Sequence, residues 1–393
     1  MLNKKSPWPR LCLALGLTLT LALLWRWQRI FYLMCVDYII SDVPNHVKLA
    51  MQHADYGLSS YIIRFLWSLR DEHFGQTALS LVLAGNQLFG IVTVWLLLRR
   101  LLPELDGRCL YLAALLAHIC GPWIIPGYQT EMYIGAYNGN LLHNMTVLFS
   151  RSFVPLTLLF FFDCWDRRHE QLPLRSWLGF GLSLLIATLF KPNFAFAFLP
   201  MLAVLLVIDL VQTKGRQLKN EVLVGIPALI TGLACIWQYL VLFADNFAGT
   251  SSGVTVQRLS GAMLLGTLVM YLRGLLLPLW TLPIQGRRET EQREHIGLIA
   301  AVNAVAIVEA IVFTETGFRA NDGNFTWGSL ALYPSLFALA IGLLFRMMQT
   351  ADFKARRDRV RVAVGIVLLL GHLVIGAYCL HQPGNAGYDW CWF

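Results

Sequence analysis

Asp42 and His46 are the first residues in this chain whose types and spacing suggest chemistry. They lie in SDVPNHVKLA, where Ser41-Asp42-Val43-Pro44 is a helix-start signal: a capping side chain followed by Pro in the first turn. Residues four apart share one face of a helix, so the carboxylate and the imidazole stand side by side. Such a pair suits a general base with a proton partner, or two ligands of a metal. The plainer alternative is an N-cap Asp beside a surface His, and spacing alone does not choose between them. Asp37, nearer the end of the preceding apolar segment, is the rival acid.

Three basic residues sit where membrane topology disfavours them. Arg273 lies deep in an apolar run, where a charge costs about 2.5–3.5 kcal/mol to insert. Lys191 interrupts two apolar segments, and Arg151 opens another. Their forks and ammonium match phosphate oxygens; pairing with Glu131, Asp245 or Glu309 is the structural alternative. Glu131 and His143 fall in the Gly- and Asn-rich stretch PGYQTEMYIGAYNGNLLHN, and Arg319 in TETGFRANDGNFTWG.

These residues must be positioned by membrane helices. Of 393 residues, 57% are hydrophobic and only 14% charged, against roughly 25% charged in soluble domains. The mean hydropathy is +0.58. A soluble enzyme, a disordered chain and a disulfide scaffold are excluded. Eleven stretches are long enough to span a bilayer: 11–30, 75–98, 109–125, 145–163, 174–190, 194–210, 222–243, 262–282, 296–313, 329–347 and 360–378. The expected fold is an all-α, polytopic transmembrane bundle, a single membrane domain. The stretch 43–57 reads as an amphipathic interfacial helix in the first outer loop. Lys191-Pro192-Asn193 predicts a tight hairpin or a broken helix.

The net charge of +8 is not a nucleic-acid signal, because the basic residues lie between apolar segments. Twenty-one of the 31 Lys and Arg fall in alternate connections, at least three in each. By the positive-inside rule the N-terminus is cytoplasmic and the C-terminus outside, in a plasma (inner) membrane. Of the other ten, Arg26 and Arg29 read as snorkelling to the interface. The loops at 31–74, 126–144 and 314–328 then share the outer face, over an aqueous pocket. Asn144-Met-Thr and Asn324-Phe-Thr match the N-glycosylation pattern there. The eight cysteines show no metal-binding spacing and mostly lie in apolar stretches; Cys379 and Cys391 are the one pair a polar tail brings together.

SDVPNHVKLA, LLHNMTVLFSRSFVPLTLLFFF, KPNFAFAFLP and GFRANDGNFTWG resemble segments of the C-type membrane glycosyltransferases, the GT-C superfamily. The likeness covers residues 1–210, as a core module, plus the late Asn-Gly-rich loop; residues 211–393 add further helices. It implies a polyprenyl-phosphate-linked sugar donor and a glycan, lipid or protein acceptor. It assigns the acid of the first outer loop to Asp42, with Asp37 second, and donor phosphate binding to Arg151, Lys191 and Arg273. A divalent metal, Mg or Mn, would draw on Asp42, His46, Glu131 and His143. Glu131, His143, Asn144 and Arg319 join the substrate-binding set. The acid here is the lone Asp42 by its histidine rather than the adjacent acidic pair of many members, and a soluble C-terminal domain is missing. An O-antigen-type polymerase or ligase, a transporter or flippase of lipid-linked glycans, and a non-catalytic scaffold are the competing classes.

Overall fold

Pro7 and Pro9 pre-set the first turn of α1 (Trp8–Cys35), and a left-handed residue ends it. Asp37 takes φ 56°; Tyr38 N donates to Leu33 O at 2.9 Å and Asp37 N to Met34 O at 3.2 Å. These bonds close the helix as a Schellman motif. Asp37 itself is exposed. The computed structural model describes residues 7–39, 41–53, 57–123, 142, 144–244, 253–287, 290–317 and 324–381.

After α1 come α2 (Val43–Met51), α3 (Leu58–Leu69), α4 (Glu72–Leu101), α5 (Gly107–Ala117), α6 (Met145–Asp166), α7 (Leu174–Phe190), α8 (Asn193–Thr213) and α9 (Leu218–Ala244). Strand β1 (Val254–Val256) precedes α10 (Gly261–Gly274), α11 (Leu276–Thr281) and α12 (Thr290–Val312). Strand β2 (Phe313–Glu315) pairs antiparallel with β1, and α13 (Trp327–Thr350) and α14 (Arg356–His381) follow. The protein is thus an all-α bundle with one short two-stranded ribbon among the described residues.

Eight helices (α1, α4, α6, α8, α9, α12, α13 and α14) are long and apolar enough to cross a membrane. The α10–α11 region behaves as a single segment broken by a 69° bend. Helix α13 is the hub. Its apolar window is 100% buried, against 28% in α1 and 22% in α9, as expected of a helix apolar on every side. Helices α5, α6, α8, α11, α12 and α14 pack around it.

Side-chain contacts fix which helix ends lie together. Arg100 pairs with Asp166, joining the C-terminal ends of α4 and α6. His295 Nε2 meets the same carboxylate at 2.8 Å, Arg168 reaches Asp209 at 2.9 Å, and Arg346 reaches Glu104 at 3.2 Å. All of these lie at one end, rich in Arg and Lys. At the other, Tyr32 faces His73 with ring centroids 6.2 Å apart, and Asn144 Nδ2 donates to Asp42 Oδ2 at 2.6 Å. Helices α4 and α6 therefore run the same way, and the chain between them crosses the bundle.

Among the described residues, that crossing is helical only over α5. Helix α5 has 11 residues, about 16 Å of rise against about 30 Å of hydrocarbon; the apolar stretch 109–125 predicted a full-length helix. Irregular backbone continues past it, where protein must satisfy its polar groups. Gly121 N donates to His372 O at 2.9 Å, and His372 Nδ1 lies 2.7 Å from Gly121 O. Close approach demands glycine: a Cβ at Gly376 would stand 1.6 Å from Ile119 O.

Two further expectations resolve on contacts. Lys191 is extended (φ −158°, ψ 124°) between α7 and α8. Ser176 of α7 and Asp209 of α8 both reach partners at the basic end, so the break is a hairpin. Arg26 is held by the end of α14. Its Nε and Nη2 donate to Leu380 O and His381 O, each at 2.6 Å, filling carbonyls that the end of α14 leaves open.

Candidate functional site

The end opposite the basic residues gathers most of the described candidate side chains. Asp42 is the N-cap residue of α2, but its side chain makes no cap bond to that helix. Instead Val43 N uses Ser41 Oγ at 3.2 Å. The half-buried Asp42 carboxylate accepts from Asn144. His46 follows one turn on, its backbone N bonded to Asp42 O at 3.0 Å, with a half-buried ring.

Asn144 faces two ways. Its Oδ1 caps α6, accepting from Val147 N at 3.0 Å and Thr146 Oγ1 at 2.7 Å, while Nδ2 holds Asp42. It is 5% exposed. The N-glycosylation reading of Asn144 therefore fails, because its amide is committed inside the bundle. Asn324 is committed likewise. Its Nδ2 donates to Glu315 Oε2, its Oδ1 accepts from Lys191 Nζ at 3.3 Å, and its backbone O accepts from Asn193 Nδ2.

Lys191 is thereby built into a polar cluster with Asn324, Glu315 and Asn193, and its ammonium stands 5.5 Å from the Trp327 ring. Ser150 Oγ donates to Lys191 O at 3.4 Å. Helix α6 links this cluster to Asp42, because it carries both Asn144 and Ser150.

Arg151, the next residue, is buried and bonds Gln87 Oε1 of α4 through Nη2. Seven residues along α6 put it about 10 Å from Asn144. It lines a cavity of about 30 Å³ with His118, Gly121, Tyr333 and Gly376. That volume holds a water or two, not a sugar or a phosphate. The half-helix α5 ends on this cavity, with His118 Nδ1 2.9 Å from Ala114 O.

Arg273 occupies the last turn of α10, immediately before the bend, and is half-buried. Tyr271, two residues earlier, lies beside Ser329 in the first turns of α13. Glu131, His143 and Arg319 lie outside the described residues, as do Asp245 and Cys391. The seven described cysteines are free thiols, six of them buried.

Among the described residues, no group of three or more His, Cys, Asp or Glu comes together as a metal site. Asp42 and His46 supply at most two ligands, which is too few for Mg or Mn without further oxygens.

Sequence reasoning missed Gln87, His118, Asn193 and Tyr333. Gln87 and neighbouring Asn86 are polar residues inside the α4 apolar run, and both are buried. That is the signal that could have found them, since a buried polar group in a membrane helix needs a partner. Asn86 Nδ2 donates to Leu148 O at 2.7 Å. No protein-family model matches the chain, and no curated protein matches it.

Proposed function

We propose that this protein is a multi-pass membrane glycosyltransferase that moves a sugar from a polyprenyl-phosphate donor to a glycan, lipid or protein acceptor at the extracytoplasmic face. The observation that supports it best is the Asp42 carboxylate, which makes no cap bond to α2 and is anchored by Asn144 at the end away from the basic residues. In this topology the eight long helices, the bent α10–α11 pair, α7 and the α5 crossing make eleven passes, with the N-terminus cytoplasmic and the C-terminus outside.

In the reaction, an acceptor hydroxyl gives its proton to Asp42 as its oxygen attacks the anomeric carbon. The bond from that carbon to the phosphate oxygen breaks, and the electron pair leaves with the lipid phosphate. Lys191 is the cation best placed for that developing charge, at the same end of α6. Arg151 serves it only if the small cavity beside His118 widens.

A transporter or flippase of lipid-linked glycans is the second reading, supported by the half-helix α5 and the bent α10–α11 pair. Discontinuous helices of this kind line transport sites. Transfer of labelled sugar in proteoliposomes decides between them. Asp42→Asn lowers turnover by about 10²–10⁴-fold if Asp42 is the base. Unchanged turnover in Asp42→Asn removes Asp42 from the reaction, and lipid-linked glycan movement without transfer favours the transporter.

A further inference from the structure

Helix α3 is built inside out. Its inner face buries Ser59 and Ser60, at 1% and 0% exposure, together with Ile63 and Leu66. Its outer face carries Tyr61, Phe65 and Leu69, exposed by 57%, 62% and 52%. These three are spaced four apart, so they form one stripe. A helix facing water would place small polar residues outward and aromatic rings inward.

Helix α2, expected from sequence to lie in the interface, has a mixed outer face: it buries Val43 and Ala50 and exposes Asn45 and Lys48 as well as Met51.

We infer that α3 is the element that lies in the bilayer interface, and that lipid covers its Tyr61–Phe65–Leu69 face. Three observations favour lipid over a protein partner. The neighbouring helices are apolar outward too: α3 packs on α4, which exposes Phe74 and Leu81, and α4 packs on α1, which exposes Leu21 and Trp25. The 12-residue helix rises about 18 Å, too short to span and suited to lying flat. Polar groups rim the stripe where headgroups would sit. The Arg64 guanidinium lies 4.5 Å from the Tyr61 ring centre and bonds His53 at 2.9 Å, and Arg70 and Asp71 are exposed just past Leu69. Tyr beside Arg is the pairing expected of a membrane–water boundary.

A consequence follows for the site. Helix α3 packs directly on α2, whose N-cap residue is Asp42. An α3 lying in the interface holds Asp42 at headgroup depth, where the polar head of an embedded lipid substrate would meet it.

The test uses the full-length protein in nanodiscs of phosphatidylethanolamine and phosphatidylglycerol, with no donor present. Tyr61, Phe65, Leu69 and, as a control, Ile63 are each replaced by photoreactive benzoylphenylalanine. Mass spectrometry after illumination should find lipid adducts at 61, 65 and 69 in roughly tenfold excess over 63. Crosslinks to a second copy, to another protein, or equally weak lipid adducts at all four positions would overturn the assignment. Where a replacement prevents insertion, a nitroxide at position 65 gives the same decision. Greater collision with oxygen than with a water-soluble nickel complex supports lipid, and the reverse overturns it. Neither readout depends on sugar transfer, so failure here is distinct from failure of the enzyme reading.

Discussion

Asn144 Nδ2 donates to Asp42 Oδ2 at 2.6 Å across 102 residues of chain. The same amide caps α6 through its oxygen. One side chain therefore sets the start of a core helix and the orientation of the acid. Asn144→Ala should lose both the cap and the donor, lowering stability by about 2 kcal/mol. Asn144→Asp keeps the cap acceptor but sets a like charge against Asp42. Tm in detergent should fall further for the Ala variant, while sugar transfer should fall for both.

Asp37 and Asp42 are separable by conformation. Asp37 holds a left-handed φ of 56° at the end of α1, which glycine adopts without a Cβ penalty. Asp37→Gly should raise stability by about 0.5–1 kcal/mol and leave transfer unchanged. Loss of transfer with the fold intact would move the catalytic acid from Asp42 to Asp37.

At the basic end, Asp106 caps α5 and is gripped by Arg108. Its Oδ1 accepts from Arg108 N at 2.8 Å and Nε at 3.0 Å, and its Oδ2 from Nη2 at 2.9 Å. Those bonds hold the carboxyl below the usual carboxylate range. A depressed folded-state value means the stabilisation is fully present above the unfolded value of about 3.9. It is lost as pH falls through the folded value. Asp106→Asn should flatten the acid limb of a Tm-against-pH curve below about pH 4, and leave the curve near neutrality merely lower.

Gly376 and Gly266 make a matched pair. A Cβ at Gly376 collides with backbone at Ile119 and Gly121, whereas one at Gly266 meets nothing within 4 Å. Gly376→Ala should cost at least about 1–3 kcal/mol, because the α5–α6 crossing cannot retreat from α14. Gly266→Ala should gain about 0.5–1 kcal/mol from helix propensity. Thermal unfolding in detergent reads both; equal effects would mean that residues 119–123 do not pack on α14 as described.

Sequence by itself determined the helices and much of their punctuation. Apolar length and the Lys191-Pro192-Asn193 break are local properties, so eight of the eleven apolar stretches, read directly from residue order, return as long apolar helices. The stretch 109–125 misled because hydropathy measures how well residues suit an apolar setting, not whether they stay helical. His118 to Trp123 are apolar enough for a span, yet the helix stops there and Gly121 bonds instead to His372 of α14. Arg26 had the composition of a snorkelling residue, but only packing brings the end of α14 within its reach. The same holds for the site. Asp42 and His46 could be singled out because a helical turn fixes residues four apart. Asn144, Gln87 and Asn324 gained their roles from partners on other helices, and partnerships across the bundle leave no periodic mark in the chain.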